Sequence, residues 1–231
     1  MDDSIPAQAG TFLARLPRRE RQQVLDLGQP RSYSDGDYLI RQGANDRFAV
    51  VLRTAQARVV AESASGRSCL LGVRRAGDLV GELAILDARP RSASVIADGA
   101  VSACAIPGSR LIALMQSSPT VAGEVARTVV ERLRHADRRR LDFTYPVPVR
   151  VVRLLAEQVN QAWAGRREII VRLTQKDIAD LVGASEVSVQ KAVRDLVAAG
   201  LVNTGYGVLV VRNRARIITE AQRLMETRHR L

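Results

Sequence analysis

The sequence predicts an α+β chain. A small all-β barrel or sandwich comes first, then a long helix, then a mostly helical part with one hairpin. Three observations predict this. From Ser32 to Ile106, short apolar or alternating runs recur every ~8–12 residues between Gly, Asp and Asn turn residues. After Pro119 the apolar period becomes helical. From Thr174 to Ala199, caps and a turn glycine fall where a helix-turn-helix needs them, and a strand–turn–strand follows.

The elements follow in order. Residues 12–28 carry a short helical pattern, with Phe12, Leu13, Leu16, Val24 and Leu27 apolar. The β-like runs include Tyr38-Leu39-Ile40, Phe48–Leu52, Arg58–Ala61, Cys69–Val73 and Ser94–Ala97, with Gly36, Gly43, Gly66, Gly77 and Gly81 in the turns. A helical texture begins near Ser109. Beyond Pro119, Val121, Val125, Val129, Leu133 and Ala136 form an apolar stripe suited to packing on the barrel or on a second copy of the same helix. That helix stops near Tyr145-Pro146-Val147-Pro148, because proline cannot continue it. Val149–Ala164 reads as a helix, Glu168–Leu173 as a strand, Leu201–Val211 as a hairpin, and a basic helix starts near Asn213. These breaks divide the chain into 1–117, 118–145 and 146–231.

The composition narrows the function classes. The chain has 231 residues and a net charge of +11, which attracts polyanions. Lysine occurs only at Lys176 and Lys191, so the excess is arginine and fits a GC-rich genome as well as a nucleic-acid partner. No stretch has the ~18 continuous apolar residues of a membrane span. The acidic start Met1-Asp2-Asp3-Ser4 is not a secretory signal, which makes the cytoplasm the expected location. Cys69 and Cys104 fit neither a zinc nor an iron–sulfur site and read as small buried hydrophobes. His135 and His229 lie in Arg-rich contexts and read as solvated. No covalent or metal cofactor is expected. No nucleophile–base pair or paired acids point to an enzyme.

Two segments carry chemistry. In the first, Thr174 caps a helix with Asp177 three residues on, a capping-box variant. Ile178, Ala179 and Leu181 face inward, and Gly183 makes the turn. Ser185 caps a second helix whose buried face is Val189, Ala192, Val193 and Leu196, closed by Gly200. Its outer face carries Glu186, Val187, Ser188, Gln190, Lys191 and Arg194. Such a face enters a major groove of double-stranded DNA: Gln190 suits adenine, Lys191 guanine or phosphate, and Glu186 cytosine. The hairpin turn Gly205-Tyr206-Gly207 would be a wing beside the backbone. The second segment is Gly77–Ser94, a short helix opened by a glycine turn and followed by a basic loop. Helix-initial N–H groups, Arg91 and Ser92 suit a phosphate, and Glu82 suits a sugar hydroxyl. A carboxylate beside a guanidinium also makes a structural salt bridge, so the residues alone leave both readings open.

From about Phe12 to Arg223 the chain resembles the cyclic-AMP receptor protein and fumarate–nitrate regulator family. Gly81-Glu82-Leu83-Ala84 with Arg91-Ser92-Ala93 is similar to the phosphate-binding cassette of cyclic-nucleotide-binding domains. Asp35–Gly43 resembles the family's early strand and turn, and Thr174–Leu196 with the hairpin its winged helix-turn-helix. The resemblance implies a β-roll (jelly-roll) sensor, a dimerisation helix and a winged helix-turn-helix in a homodimer that regulates transcription. It assigns Glu82 to a ribose 2′-hydroxyl and Arg91 and Ser92 to a cyclic phosphate.

The departures are specific. Where cyclic-AMP receptors place a Thr-Ser pair for adenine, this chain has Ala136-Asp137 as the candidate base contact. The effector is therefore cyclic AMP held without those contacts, another cyclic nucleotide, or none. A turn glycine after Val51-Leu52 is replaced by Thr54-Ala55. The reading helix has Glu186-Val187 for the receptor's Arg-Glu, and Lys191 for a later Arg. With no N-terminal cysteine cluster and no barrel histidine, the iron–sulfur and haem branches do not fit. RNA polymerase is left open as a further partner, as is a module that acts on a protein rather than on DNA.

Overall fold

The computed structural model describes residues 8–161, 169–205 and 207–226. It divides into two compact units, Met1–Arg134 and His135–Leu231.

The first unit opens with two helices, α1 (Phe12–Arg15) and α2 (Arg18–Asp26), where the apolar pattern suggests one. The break lies at Pro17, before which Leu16 is extended at φ −75°, ψ 136°. Then come β1 (Gln29–Tyr33), β2 (Tyr38–Ile40), β3 (Phe48–Leu52), β4 (Gln56–Glu62), β5 (Ser68–Arg75), β6 (Leu79–Val80), α3 (Glu82–Leu86), β7 (Ser94–Asp98) and β8 (Val101–Pro107). They form two four-stranded antiparallel sheets, ordered β1-β8-β3-β6 and β2-β7-β4-β5. Leu39, Ile40, Val50, Leu52, Val80, Val95 and Ala103 fill the space between the sheets. The outer face of the first sheet is also covered: Ala49, Val51, Leu79, Cys104 and Ile106 pack with Phe12, Leu13, Leu16 and Val24. This is why Phe48–Leu52 reads as a continuous apolar run. A strand buried on both faces has no polar side to show.

The helices α4 (Gly108–Ser117) and α5 (Pro119–Asp142) follow. Val121 and Val125 are fully buried in the core under the first sheet. The stripe predicted through Val129, Leu133 and Ala136 does not stay on that face: Leu133 is 61% exposed and Ala136 is exposed. Each four-residue step overshoots a helical turn by roughly 40°, so a row of such steps winds off its starting face. Thr128 takes the next inward position. Its hydroxyl accepts from Arg15 Nη2 at 2.9 Å and donates to the Glu124 carbonyl at 2.8 Å. Arg15 also pairs with Glu124 at 2.6 Å and Glu131 at 3.2 Å, which fastens α1 to α5.

The second unit contains α6 (Val147–Gln161), β9 (Ile169–Val171), α7 (Gln175–Val182), α8 (Glu186–Ala198), β10 (Val202–Gly205), β11 (Val208–Val211) and α9 (Arg214–Glu226). α5 ends at Asp142, just before the Tyr145-Pro146-Val147-Pro148 stretch expected to stop it, and Pro148 itself sits in the first turn of α6, where its missing N–H has no helical partner to lose. Val151, Val152, Leu154, Leu155 and Val159 of α6 are all buried. The strands form one antiparallel sheet, β10-β11-β9. The end of the helix predicted over Val149–Ala164, the strand start at Glu168, the wing residue Tyr206 and His229 lie outside the described residues.

Cys104 is buried, with Sγ 3.4 Å from the Leu25 carbonyl, whereas Cys69 is only half-buried. His135, expected to be solvated, is half-buried, with its Nδ1 3.9 Å from Glu157 Oε2. Among the described residues no helix is long and apolar enough to cross a membrane. Nor do three or more His, Cys, Asp or Glu side chains gather there to hold a metal.

Candidate functional site

The Gly77–Ser94 segment is built around a buried guanidinium. Gly81 caps α3 at φ +83°, the left-handed region that favours glycine. A Cβ there would lie 2.7 Å from Ile40 Cδ1 and 2.8 Å from Arg91 Nη1, so the turn also needs glycine for space. Arg91 is 4% exposed. Its Nε donates to Asp46 Oδ1 at 2.7 Å, Nη1 to the Gly81 carbonyl at 2.7 Å, and Nη2 to the Phe48 carbonyl at 2.6 Å. The Phe48 ring lies under the guanidinium, 4.9 Å from centroid to Cζ. The backbone of Arg91 is pinned as well, pairing with Gly43 and Ala44 at 2.9 Å each. The early Asp35–Gly43 segment and the cassette are thus one assembly.

Glu82, the first residue of α3, is 1% exposed. Its Oε1 accepts from Arg132 Nη1, and Arg132 Nη2 donates to the Leu79 carbonyl. Its Oε2 is buried and has no hydrogen-bond partner. Buried carboxylate oxygens are nearly always satisfied, so this one marks a position where a donor is wanted. Ala84 is buried, while Leu83 and Ser92 are exposed at the rim. Ala136 and Asp137 are exposed on α5, beginning one helical turn beyond Arg132.

Sequence reasoning missed Arg132 and Asp46. Nothing local marks either, since Arg132 lies in an Arg-rich helix and Asp46 in an ordinary polar loop. They are 50 and 45 residues from their partners, and only the fold brings them together.

The helix-turn-helix is specified residue by residue. Thr174 Oγ1 accepts from the Asp177 N–H at 3.1 Å, and Asp177 Oδ2 accepts from the Thr174 N–H at 2.9 Å, a complete capping box. Ile178, Ala179 and Leu181 are buried. Gly183 ends α7 at φ +62°. The Phe143 ring fills the space beside it: a Cβ on Gly183 would be 2.3 Å from Phe143 Cε1. Arg150 Nη1 donates to the Val182 carbonyl at 2.6 Å and the Gly183 carbonyl at 3.0 Å, closing the helix end. Ser185 Oγ accepts from the Ser188 N–H at 3.3 Å and caps α8.

Along α8 two stripes separate. Val189, Ala192, Val193 and Leu196 are buried. Glu186, Val187, Gln190, Lys191 and Arg194 are exposed and Ser188 is half-buried. Thr174 is exposed at the start of α7. The β10–β11 hairpin follows α8, with Val202 paired to Val211 and Gly205 to Val208.

Comparisons with known proteins agree with this layout. The sequence model of the cyclic nucleotide-binding domain matches residues 30–118. That of the Crp-like helix-turn-helix domain matches residues 149–219. A CRP-like cAMP-activated global transcriptional regulator of Mycobacterium tuberculosis is 28% identical over 214 residues, covering 90% of this chain and 95% of that protein. The catabolite activator protein of Thermus thermophilus is 26% identical with a TM-score of 0.52, covering 92% of this chain and 99% of that one. The c-di-GMP responsive global regulator CLP of Xanthomonas campestris shares the fold at a TM-score of 0.67 and 20% identity, covering 85% of this chain and 100% of that one. A nucleotide-binding-type β unit with a buried Arg91–Glu82 cassette precedes a capped and winged helix-turn-helix. Both parts match in order, and the chain belongs to the CRP/FNR family, a family of transcription regulators rather than enzymes.

Proposed function

We propose that the protein is a homodimeric regulator that binds a cyclic nucleotide in its β unit and double-stranded DNA through α8. The observation that carries the nucleotide reading is the pair of buried charges at one turn. Arg91 is held rigid by three acceptors, and Glu82 keeps one buried oxygen without a donor. A guanidinium has five N–H donors, so Arg91 retains capacity for a phosphate. A ribose hydroxyl is the kind of donor that Glu82 Oε2 lacks, and Ser92 at the rim adds a hydroxyl. The effector is cyclic AMP or another cyclic nucleotide.

A second reading has one observation in its favour. Arg132 already occupies one oxygen of Glu82, as it would in a purely structural ion pair and a regulator that needs no nucleotide. Calorimetry with cyclic AMP and cyclic GMP separates the two. Heat with either, weakened in Ser92→Ala and Glu82→Gln, is expected. Absence of heat with both leaves the nucleotide-independent reading.

The homodimer reading rests on α5. Gly123, Ala126, Val130, Leu133 and Asp137 are exposed at steps of three and four, the seam of a two-helix coiled coil. Sedimentation of wild type and Val130→Glu/Leu133→Glu tests it: a dimer and a monomer are expected. The DNA reading rests on the capped scaffold and on Gln190, Lys191 and Arg194. Selection from genomic DNA should enrich paired half-sites about one helical turn apart, and retention should fall in Gln190→Ala/Lys191→Ala with steep salt dependence in wild type.

A further inference from the structure

We infer that Val187 is a base-reading residue that recognises the 5-methyl group of a thymine in the major groove; this rests on the DNA reading above. Val187 is 73% exposed, and among the described residues no other large apolar side chain is as exposed. A single exposed valine is ordinary on a protein surface, so the argument lies in its placement.

Val187, Gln190, Lys191 and Arg194 stand at i, i+3, i+4 and i+7, all exposed, and so share one face of α8. The buried stripe Val189, Ala192, Val193 and Leu196 has the same spacing two residues on. At about 100° per residue the two stripes lie on opposite sides of the helix. Val187 therefore points where Gln190 and Lys191 point, one turn nearer the N-terminal end that enters a groove first. The Ser185 cap holds that first turn in place through its bond to the Ser188 N–H.

A valine on such a face can make no hydrogen bond to a base edge and no ion pair to a phosphate. The major groove offers one apolar group among its base edges, the thymine methyl. Burying that methyl against the valine also removes an exposed apolar surface from water. The neighbouring Glu186 carboxylate sharpens the choice. It disfavours the phosphate backbone, which keeps this end of the helix directed at base edges.

The test uses the full-length protein. Duplexes are selected from a random pool with and without cyclic AMP, and each thymine of the enriched half-site is replaced singly by deoxyuridine, which removes only the methyl. One position per half-site should lose affinity about four-fold in wild type, the equivalent of one buried methyl group. The same replacement should cost clearly less in Val187→Ala, whose side chain stops one carbon short. Val187→Thr, of the same shape with a hydroxyl for one methyl, keeps the other methyl and should retain part of the discrimination. The slope of affinity against salt should be unchanged by Val187→Ala and reduced by Lys191→Ala, because only the lysine carries a charge that can meet a phosphate. Enriched DNA with no uracil-sensitive position, or an equal loss in wild type and Val187→Ala, overturns the assignment to Val187 and leaves DNA binding intact. The assignment also fails if both valine variants bind as wild type. No enrichment of any duplex overturns the DNA reading and this inference with it.

Discussion

Gly183→Ala should destabilise the C-terminal unit by two separable effects. The backbone at Gly183 is left-handed, φ 62° and ψ 52°. An L-residue there costs about 1–2 kcal/mol. The new methyl would also lie 2.3 Å from Phe143 Cε1 and 3.0 Å from Cζ, well inside contact distance. Phe143 is 55% exposed, so its ring can swing outward. The crowding then costs about 1–2 kcal/mol, towards the lower end for overpacking. The total is about 2–4 kcal/mol. In a Phe143→Ala background the crowding is gone and only the backbone cost of about 1–2 kcal/mol remains. Scanning calorimetry is the suitable assay, because two compact units can unfold in separate transitions. Only the transition of the helix-turn-helix unit should move. Equal costs of Gly183→Ala in both backgrounds would refute the argument that Phe143 crowds this turn.

Three further outcomes are expected. Arg91→Ala removes a buried guanidinium and leaves the Gly81 and Phe48 carbonyls without that donor, while Asp46 is exposed enough to be solvated; the β unit should lose about 2–4 kcal/mol in urea unfolding, from two acceptors left unmade at about 1–3 kcal/mol each. Ala55 sits at φ +53°, so Ala55→Gly should raise the melting point of the same unit, the relieved strain of about 1 kcal/mol exceeding the glycine's unfolded-state entropy. Burial pushes the Glu157 carboxyl up, with Asp142 adding to the shift and Arg138, Arg139 and Arg153 opposing it. A carboxyl raised in the folded state penalises folding when ionised, so its contribution improves as pH falls through the raised value and levels off below the ordinary carboxylate value. Glu157→Gln should flatten that part of the stability–pH curve and stabilise the unit at neutral pH; an unchanged curve would show that Glu157 does not titrate differently on folding.

The features legible in the sequence are the local ones. The capping box of Thr174 and Asp177, the Ser185 cap, the Gly183 turn and the buried stripe of α8 each depend on residues within a few positions, and the structure has them as read. The strands β2, β3, β4, β5 and β7 are legible for the same reason, since short apolar or alternating runs between turn residues mark them, while β1, β6 and β8 are not among those runs. The faces of α5 are not. A stripe in steps of four drifts around a 3.6-residue helix, so it mixes the inward row Val121, Val125, Thr128 with the outward row Gly123, Ala126, Val130, Leu133. Helix phase is settled by what the helix packs on, here the sheet core and Arg15, and neither is visible from the helix alone. The Leu16–Pro17 break is present in the sequence but outweighed by the apolar pattern on both sides. In the cassette, Gly81, Glu82 and Arg91 announce themselves by motif, while Arg132 and Asp46 do not, because a salt bridge across the fold leaves no spacing to recognise.

The two buried charges of the cassette are completed to different degrees, and this has a consequence for the ligand. Arg91 is positioned by Asp46 and two carbonyls whether or not anything binds, so a phosphate meets a guanidinium that needs no ordering. Glu82 is positioned by Arg132 but retains an oxygen without a donor. A hydroxyl supplied to that oxygen removes the cost of leaving a buried acceptor unmade, about 1–3 kcal/mol. Under the nucleotide reading, a 2′-deoxy cyclic nucleotide should therefore bind about ten-fold more weakly than its ribose counterpart, by the low-to-middle part of that range. In Glu82→Ala the two should bind alike, since the acceptor is gone. Calorimetry with the matched pair of nucleotides measures this directly. Equal affinity of the two nucleotides in wild type would mean that Glu82 serves Arg132 alone and takes no part in holding the sugar.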